Sequence, residues 1–196
     1  IVPIVFTNFV QFSRSKNPLE TAKKFRFFAL AIILSIFFTS MYITSYPTAV
    51  LTGSIGVAMV IFSLQSMFGI KIKIKHSIFS HILFGIFAGI LGGLSSIWSP
   101  IVGMYLIARN YSKDEFIGIS GFLFFSGCFP LALGLYISGV LTLNSILQSL
   151  AGLIFVLVGF RIGELIRNRV PQTLFRKILL FIFLVMGLRL IILSFL

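Results

Sequence analysis

The chain has few charged residues and almost no acidic ones. Of its 196 residues, 10% are charged and only four are Asp or Glu, whereas a soluble globular domain has roughly 25% charged residues. Hydrophobic residues make up 58% of the chain, and the mean hydropathy is +1.11. This composition excludes an ordinary soluble enzyme. It predicts an all-α integral membrane protein, a polytopic helix bundle embedded in the lipid bilayer.

Cysteine and histidine are also scarce. The single cysteine, Cys128, excludes an internal disulfide and a cysteine-based metal cluster, and we interpret it as a small packing residue. His76 and His81 are five residues apart and do not share a helix face, and no pattern brings the few carboxylates to them. The sequence carries no nucleophile–base triad, zinc motif or phosphate-binding loop. It therefore predicts no enzyme, no bound metal and no cofactor.

Basic residues account for the net charge of +12, and they are grouped. Fifteen of the sixteen Lys and Arg residues fall in four short windows at the ends of apolar stretches. This placement is typical of cytoplasmic loops between membrane spans rather than of a nucleic-acid-binding surface. We predict a multi-pass protein of the inner cell membrane with four cytoplasmic loops: 13–26, 71–76, 109–113 and 161–177.

The apolar stretches between these loops predict seven membrane elements. Six are spans or part-spans, at 1–12, 25–46, 48–70, 114–140, 143–166 and 174–196, and the seventh is a broken segment at 77–108. The charge pattern requires the broken segment to begin and end in the cytoplasm. Its 32 residues are short for two full spans of about 20 residues each. The sequence therefore predicts a re-entrant or short-helix hairpin.

The spans on either side of this hairpin run in opposite directions, which predicts two inverted repeats. Each repeat would consist of a glycine-rich hairpin and three spans, in one transmembrane domain. We assign 1–76 to the remainder of the first repeat and 77–196 to the second. The first span is partial and the first hairpin is missing, because we expect the N-terminus to be truncated.

The break in the hairpin is the segment Gly92-Gly93-Leu94-Ser95-Ser96-Ile97-Trp98-Ser99-Pro100. Adjacent glycines, three serines and a proline weaken a helix, and lipid tolerates irregular backbone only where its polar groups are satisfied. Pro100 suits the first turn of a new helix, with Ser99 or Ser96 able to cap it. The buried N-terminus of that helix favours an anion. A kinked helix with no ligand is the alternative.

We predict a binding site for a small anionic substrate at this break. Asn8 and Gln11 lie three residues apart on one face of the first span and could add hydrogen bonds near the pseudo-symmetric position, although such residues also join helices. Gly85, Gly89 and Gly93 line one helix face and predict close packing against another helix. The predicted substrate-binding residues are Gly92, Gly93, Ser95, Ser96, Ser99, Pro100, Asn8 and Gln11.

The run GIFAGILGGLSSIWSP, from Gly85 to Pro100, resembles the second half of the sulfite exporter family of TauE/SafE type. So do the following ISGFLFFSGCFPLALGLYISGVL and VLVGFRIGELIRNRV, and the opening VPIVFTNFVQFSR resembles the span after that family's first glycine hairpin. The resemblance implies a permease for small sulfur-containing or organic anions, built from two homologous halves. Where the family has two or three glycines before the proline, this chain has Gly92-Gly93-Leu94-Ser95-Ser96, whose hydroxyls can supplement the backbone donors.

The function that follows is a secondary transporter of small anions, such as sulfite or an organosulfonate, working by alternating access. Two alternatives stay open. In a non-transporting membrane scaffold or assembly subunit, the glycines would serve only helix contacts. A passive anion channel would show flux that does not saturate with substrate. A coupling ion and a homo-oligomer are left open as partners.

Overall fold

The computed structural model describes residues 1–42, 47–69, 74 and 77–195. Within these residues the chain forms eight helices and no strand, which confirms the all-helical fold class. The predicted broken segment forms two of the helices, α4 and α5. The helices are α1 (Val2–Ser13), α2 (Pro18–Ser40), α3 (Thr48–Met67), α4 (Ile78–Ser95), α5 (Ser99–Ala108), α6 (Lys113–Ile137), α7 (Leu143–Arg169) and α8 (Gln172–Ser194).

Four of the described helices, α4, α6, α7 and α8, are long and apolar enough to cross a membrane. The helices α1, α5 and the part of α3 from Thr52 to Met67 are apolar but shorter. The helix α2 has 23 residues and begins at Pro18, well before the predicted span at residue 25. Its charged residues, from Glu20 to Arg26, all lie in its first half. Three of the predicted span ends, those at residues 43–46, 70 and 196, lie outside the described residues.

The hairpin of α4 and α5 packs against α2 through glycines. A Cβ atom placed on Gly85 would lie 2.7 Å from the Cβ of Ala31, and one on Gly89 would lie 2.5 Å from the Cβ of Ser35. Gly93 continues the same close contact towards the end of α2. The contacts advance in the same direction along both helices, so α2 and α4 are parallel. The predicted role of this glycine face in close packing is confirmed.

Two further helix pairs cross in antiparallel fashion. Where α3 meets α8, a Cβ on Gly56 would lie 2.7 Å from the carbonyl oxygen of Gly187, and a Cβ on Gly187 would lie 2.8 Å from that of Gly56. Where α1 meets α6, the rings of Phe9 and Phe125 pack with centroids 5.4 Å apart. In addition, α2 packs on α6, and α7 packs on α1.

The hydrophobic core lies between α2, α4, α5 and α6. Phe28, Ile32, Tyr105 and Leu123 come from three of these helices and are fully buried there. The hairpin helix α5 is almost entirely enclosed. None of the residues of α7, by contrast, is buried. The fold therefore encloses the hairpin and leaves α7 at its outer side.

The described basic segments gather at one end of the bundle. Arg14, at the end of α1, pairs with Glu164 of α7 at 3.0 Å. Arg109, at the end of α5, donates to the carbonyl of Ile74 at 2.6 Å, and Lys113 donates to a carbonyl at the end of α7 at 2.8 Å. These three contacts lie at the same end of the bundle. The second basic window, with its three lysines, lies outside the described residues apart from Ile74.

Candidate functional site

The chain reverses direction between α4 and α5 within residues 96–98. The helix α4 continues through Gly92 and Gly93 to Ser95, so the prediction that the adjacent glycines break the helix is wrong. They provide space instead, since a Cβ on Gly92 would lie 2.8 Å from the ring of Trp98. Ser96 ends the helix with a φ of 58°, a left-handed conformation that costs a non-glycine residue about 1–2 kcal/mol.

The second helix of the hairpin, α5, begins at Ser99 and has Pro100 in its first turn, as predicted. Its N-cap residue is Trp98, and no side chain hydrogen-bonds to the cap. The prediction that Ser96 or Ser99 caps α5 is therefore wrong, because Ser96 terminates α4 and Ser99 is already helical. The first N–H groups of α5 have no acceptor within the helix, and they carry its partial positive charge.

A crevice of about 190 Å³ opens at the tip of the hairpin. Phe124, one of its lining residues, lies near the middle of α6, so the crevice lies about midway along the bundle. Ser96 and Ser99 are exposed there. Both belong to the predicted site. The lining residues are Ile4, Ser96, Trp98, Ser99 and Phe124.

Ser95 does not line this crevice, and its hydroxyl is used within the hairpin. The Oγ atom donates to the carbonyl of Leu91 at 2.6 Å and accepts from the N–H of Ile97 at 3.2 Å. This pair of bonds links the last turn of α4 to the reversal, so Ser95 holds the tip in shape. Of the three serines predicted at the break, two are placed to meet a ligand and one supports them.

Trp98 lines the crevice and carries a buried hydrogen-bond donor. Its side chain is 6% exposed and packs edge-on against Phe124, with ring centroids 6.1 Å apart. The indole Nε1–H is buried and meets no acceptor within the described part of the chain. An indole N–H can only donate, so this group needs an acceptor that the described residues do not supply. The indole, two serine hydroxyls and the N-terminus of α5 together form a set of donors suited to an anion.

Asn8 and Gln11 are placed away from the crevice lining. Asn8 is 6% exposed, and its Nδ2 donates to the carbonyl of Ile4 at 2.8 Å, so its amide acts within α1. Gln11 lines another cavity, of about 460 Å³, at the basic end of the bundle with Arg14 and Arg167. From α1, Ile4 is the residue that reaches the crevice, one turn before Asn8.

Three lining residues, Trp98, Ile4 and Phe124, were not predicted from the sequence. Trp98 is the only tryptophan of the chain and directly precedes the Ser-Pro pair, and this position is a signal that could have identified it. Nothing distinguishes Ile4 or Phe124 from the many other apolar residues of α1 and α6. They reach the crevice only because these two helices pack beside the hairpin tip.

Residues 1–190 match the family described as Sulfite exporter TauE/SafE. The matched range includes every residue that lines the crevice. No curated protein and no solved structure matches the chain.

Proposed function

The chain belongs to the sulfite exporter TauE/SafE family, and we propose that it is a secondary transporter, a permease, of small anions such as sulfite or an organosulfonate. Proteins of this family are membrane transporters and not enzymes, and membership suggests a membrane transporter of sulfite or another anion. The observation on this chain that carries the proposal is the buried Nε1–H of Trp98, the N-cap residue of α5, which meets no acceptor among the described residues.

A small oxyanion suits the donors at the hairpin tip. One oxygen would accept from the indole of Trp98, and others from the hydroxyls of Ser96 and Ser99 and from the first N–H groups of α5. A hydrogen bond to a charged group contributes about 1.5–3 kcal/mol, and the helix N-terminus adds attraction for negative charge. No cationic side chain is among the described residues that line the crevice. In this proposed site the anion is held by uncharged donors.

Alternating access would come from two inverted repeats, 1–76 and 77–196, that rock against each other. The contacts between helices support this division. The pairs α1–α6 and α3–α8 each join one repeat to the other, and the packing of α2 on α6 has a counterpart in that of α7 on α1. Exchanging α1 with α6, α2 with α7 and α3 with α8 leaves this set of contacts unchanged. The reciprocal approach of Gly56 and Gly187 agrees with a two-fold axis between α3 and α8.

The basic end of the bundle is proposed to face the cytoplasm, in the inner cell membrane. It carries Lys16 and Arg167, whereas the turn around Ser138 at the other end carries no Lys or Arg. A cysteine in place of Lys16 should react with a membrane-impermeant maleimide only from the cytoplasmic side, and one in place of Ser138 only from outside. The reverse pattern would contradict the orientation.

The transport proposal is tested by uptake of radiolabelled sulfite into liposomes that contain the complete polypeptide. We expect saturable uptake that related sulfonates compete. Ser99→Leu fills the crevice and should abolish uptake while leaving membrane insertion intact. The matched control is Ser54→Leu, which changes an exposed serine of α3 that does not line the crevice.

Other outcomes of the uptake experiment would contradict this proposal in different ways. Flux that does not saturate, with no countertransport, would indicate a passive channel. No uptake of any anion by folded and inserted protein would indicate a scaffold or assembly subunit. Normal uptake by the Ser99→Leu variant would show that the anion binds elsewhere.

A further inference from the structure

The crevice at the hairpin tip and the cavity at the basic end are lined by the same two helices. Ile4 of α1 and Phe124 of α6 line the crevice, whereas Gln11 of α1 and Ile117 of α6 line the cavity. On each helix the two residues are seven positions apart, which is close to two turns. They therefore share one side of the helix, and about 10 Å separates them along its axis.

Thr7 lies on this side of α1, between the crevice and the cavity. It follows Ile4 by three positions and precedes Gln11 by four, and residues at these spacings are neighbours on one face of a helix. The side chain of Thr7 is partly exposed. Its hydroxyl donates to the carbonyl of Pro3 at 2.9 Å, so its polar atom is satisfied within α1 itself.

Gly121 brings α6 against α1 at the level of Thr7. It lies four positions after Ile117 and three before Phe124, between the cavity and the crevice. A Cβ atom placed on Gly121 would lie 2.9 Å from the carbonyl oxygen of Asn8, the residue after Thr7. The two backbones are therefore in contact here, and a solute would move along the side that the helices share rather than between them.

We propose that a water-filled passage runs along this shared side of α1 and α6, past Thr7, and carries the anion between the cavity at the basic end and the crevice. The inference rests on the proposed function and adds to it a route and a lining residue. Cations outnumber carboxylates by one among the residues that line the cavity, and this net positive charge favours the arrival of anions at that end of the passage.

The passage is tested by the reaction of single cysteines with a small sulfonated maleimide, which dissolves in water and not in lipid. The complete polypeptide is used in liposomes, with its buried Cys128 replaced by alanine. Thr7→Cys is compared with Phe6→Cys, since Phe6 is 45% exposed and turned about 100° around α1. The thiolate is the reactive form, and lipid disfavours a charged group. We therefore expect the cysteine at position 7 to react at least tenfold faster than the one at position 6.

Uptake of radiolabelled sulfite is then measured after the reagent has been removed. We expect the treated Thr7→Cys protein to lose at least nine-tenths of its initial uptake rate, roughly a tenfold fall, and the treated Phe6→Cys protein to keep its rate. Equally slow labelling at both positions would show that Thr7 is shielded from water and would overturn the passage. Fast labelling at position 7 with unchanged uptake would show that the anion takes another route.

The labelling rate does not depend on transport, so failure of the passage is distinct from failure of the proposed function. A protein that takes up no sulfite and yet reacts quickly at position 7 would refute the transport proposal and support the passage.

A second pair of variants keeps the test decisive if Thr7→Cys does not fold. Thr7→Trp places a large ring in the passage and should lower the initial rate of sulfite uptake at least tenfold. The matched control is Phe6→Trp, which should leave uptake unchanged. Membrane insertion and melting temperature are measured for both variants, and normal uptake by folded Thr7→Trp protein would overturn the proposal.

Discussion

Replacing Trp98 with phenylalanine removes one buried hydrogen-bond donor beside the crevice and keeps an aromatic ring in the same place. Trp98 packs against Phe124 and above Gly92, and a phenylalanine can retain part of both contacts. Only the indole N–H is lost as a polar group. The variant therefore separates the two roles of Trp98, as packing residue of the hairpin tip and as donor to an anion.

The expected change in KM depends on the charge of the group that accepts the hydrogen bond of the indole N–H. A hydrogen bond to a charged group contributes about 1.5–3 kcal/mol, and each 1.4 kcal/mol corresponds to a tenfold change in affinity. Trp98→Phe should therefore raise the KM for the anion roughly 10- to 100-fold. The stability without substrate should change little, since removal of an unsatisfied buried donor gains about 1–3 kcal/mol and offsets the packing that the smaller ring loses.

The assay measures initial uptake rates over a range of sulfite concentrations, together with the melting temperature with and without sulfite. The unmodified protein should be stabilised by sulfite, and the Trp98→Phe variant should need a much higher concentration for the same stabilisation. An unchanged KM in a variant of equal or higher stability would refute the reasoning. It would mean that the indole N–H stays unpaired during transport and that Trp98 serves only packing.

Three further predictions concern stability, each measured as the unfolding transition of the complete polypeptide in detergent. Gly89→Ala should cost about 1–3 kcal/mol, because its Cβ would lie 2.5 Å from that of Ser35, and Ser35→Gly in the same chain should recover part of the loss. Glu164→Gln should cost less than about 1 kcal/mol, since the ion pairs it breaks are at the surface; a larger loss would indicate a buried network. Gly56→Ala and Gly187→Ala should have similar costs, and the double variant should cost less than their sum, because one separation of α3 and α8 accommodates both methyl groups. Strict additivity would contradict a shared crossing point.

The fold was largely predictable because its main signals are local. Long apolar runs and grouped basic residues indicate the helices and their common basic end. The spacing of Gly85, Gly89 and Gly93 also indicates a face for close packing, and the structure places Ala31 and Ser35 of α2 against it. Which helix would fill that face could not be read from the sequence, because apolar helices in lipid offer many similar surfaces.

The hairpin was predicted correctly in outline and wrongly in detail. Pro100 indicated the start of the second helix because proline fits only the first turn of a helix well. The position of the break was misjudged because Gly92 and Gly93 are unfavourable in a helix by propensity alone. Packing against Trp98 and α2 overrides that propensity. The reversal falls instead at Ser96, a residue whose left-handed conformation has no clear sequence signal.

The cavity at the basic end of the bundle and the crevice at the hairpin tip differ in the charge of their lining residues. At the basic end, the cavity of about 460 Å³ is lined by Arg14, Lys16 and Arg167 together with Asp114 and Glu164. Cations outnumber carboxylates at this mouth by one, and a net positive charge favours the arrival of anions. The crevice at the tip of the hairpin has only neutral donors among its described lining residues, Trp98 among them. An anion would thus be attracted to the basic mouth and then held without a fixed counter-charge.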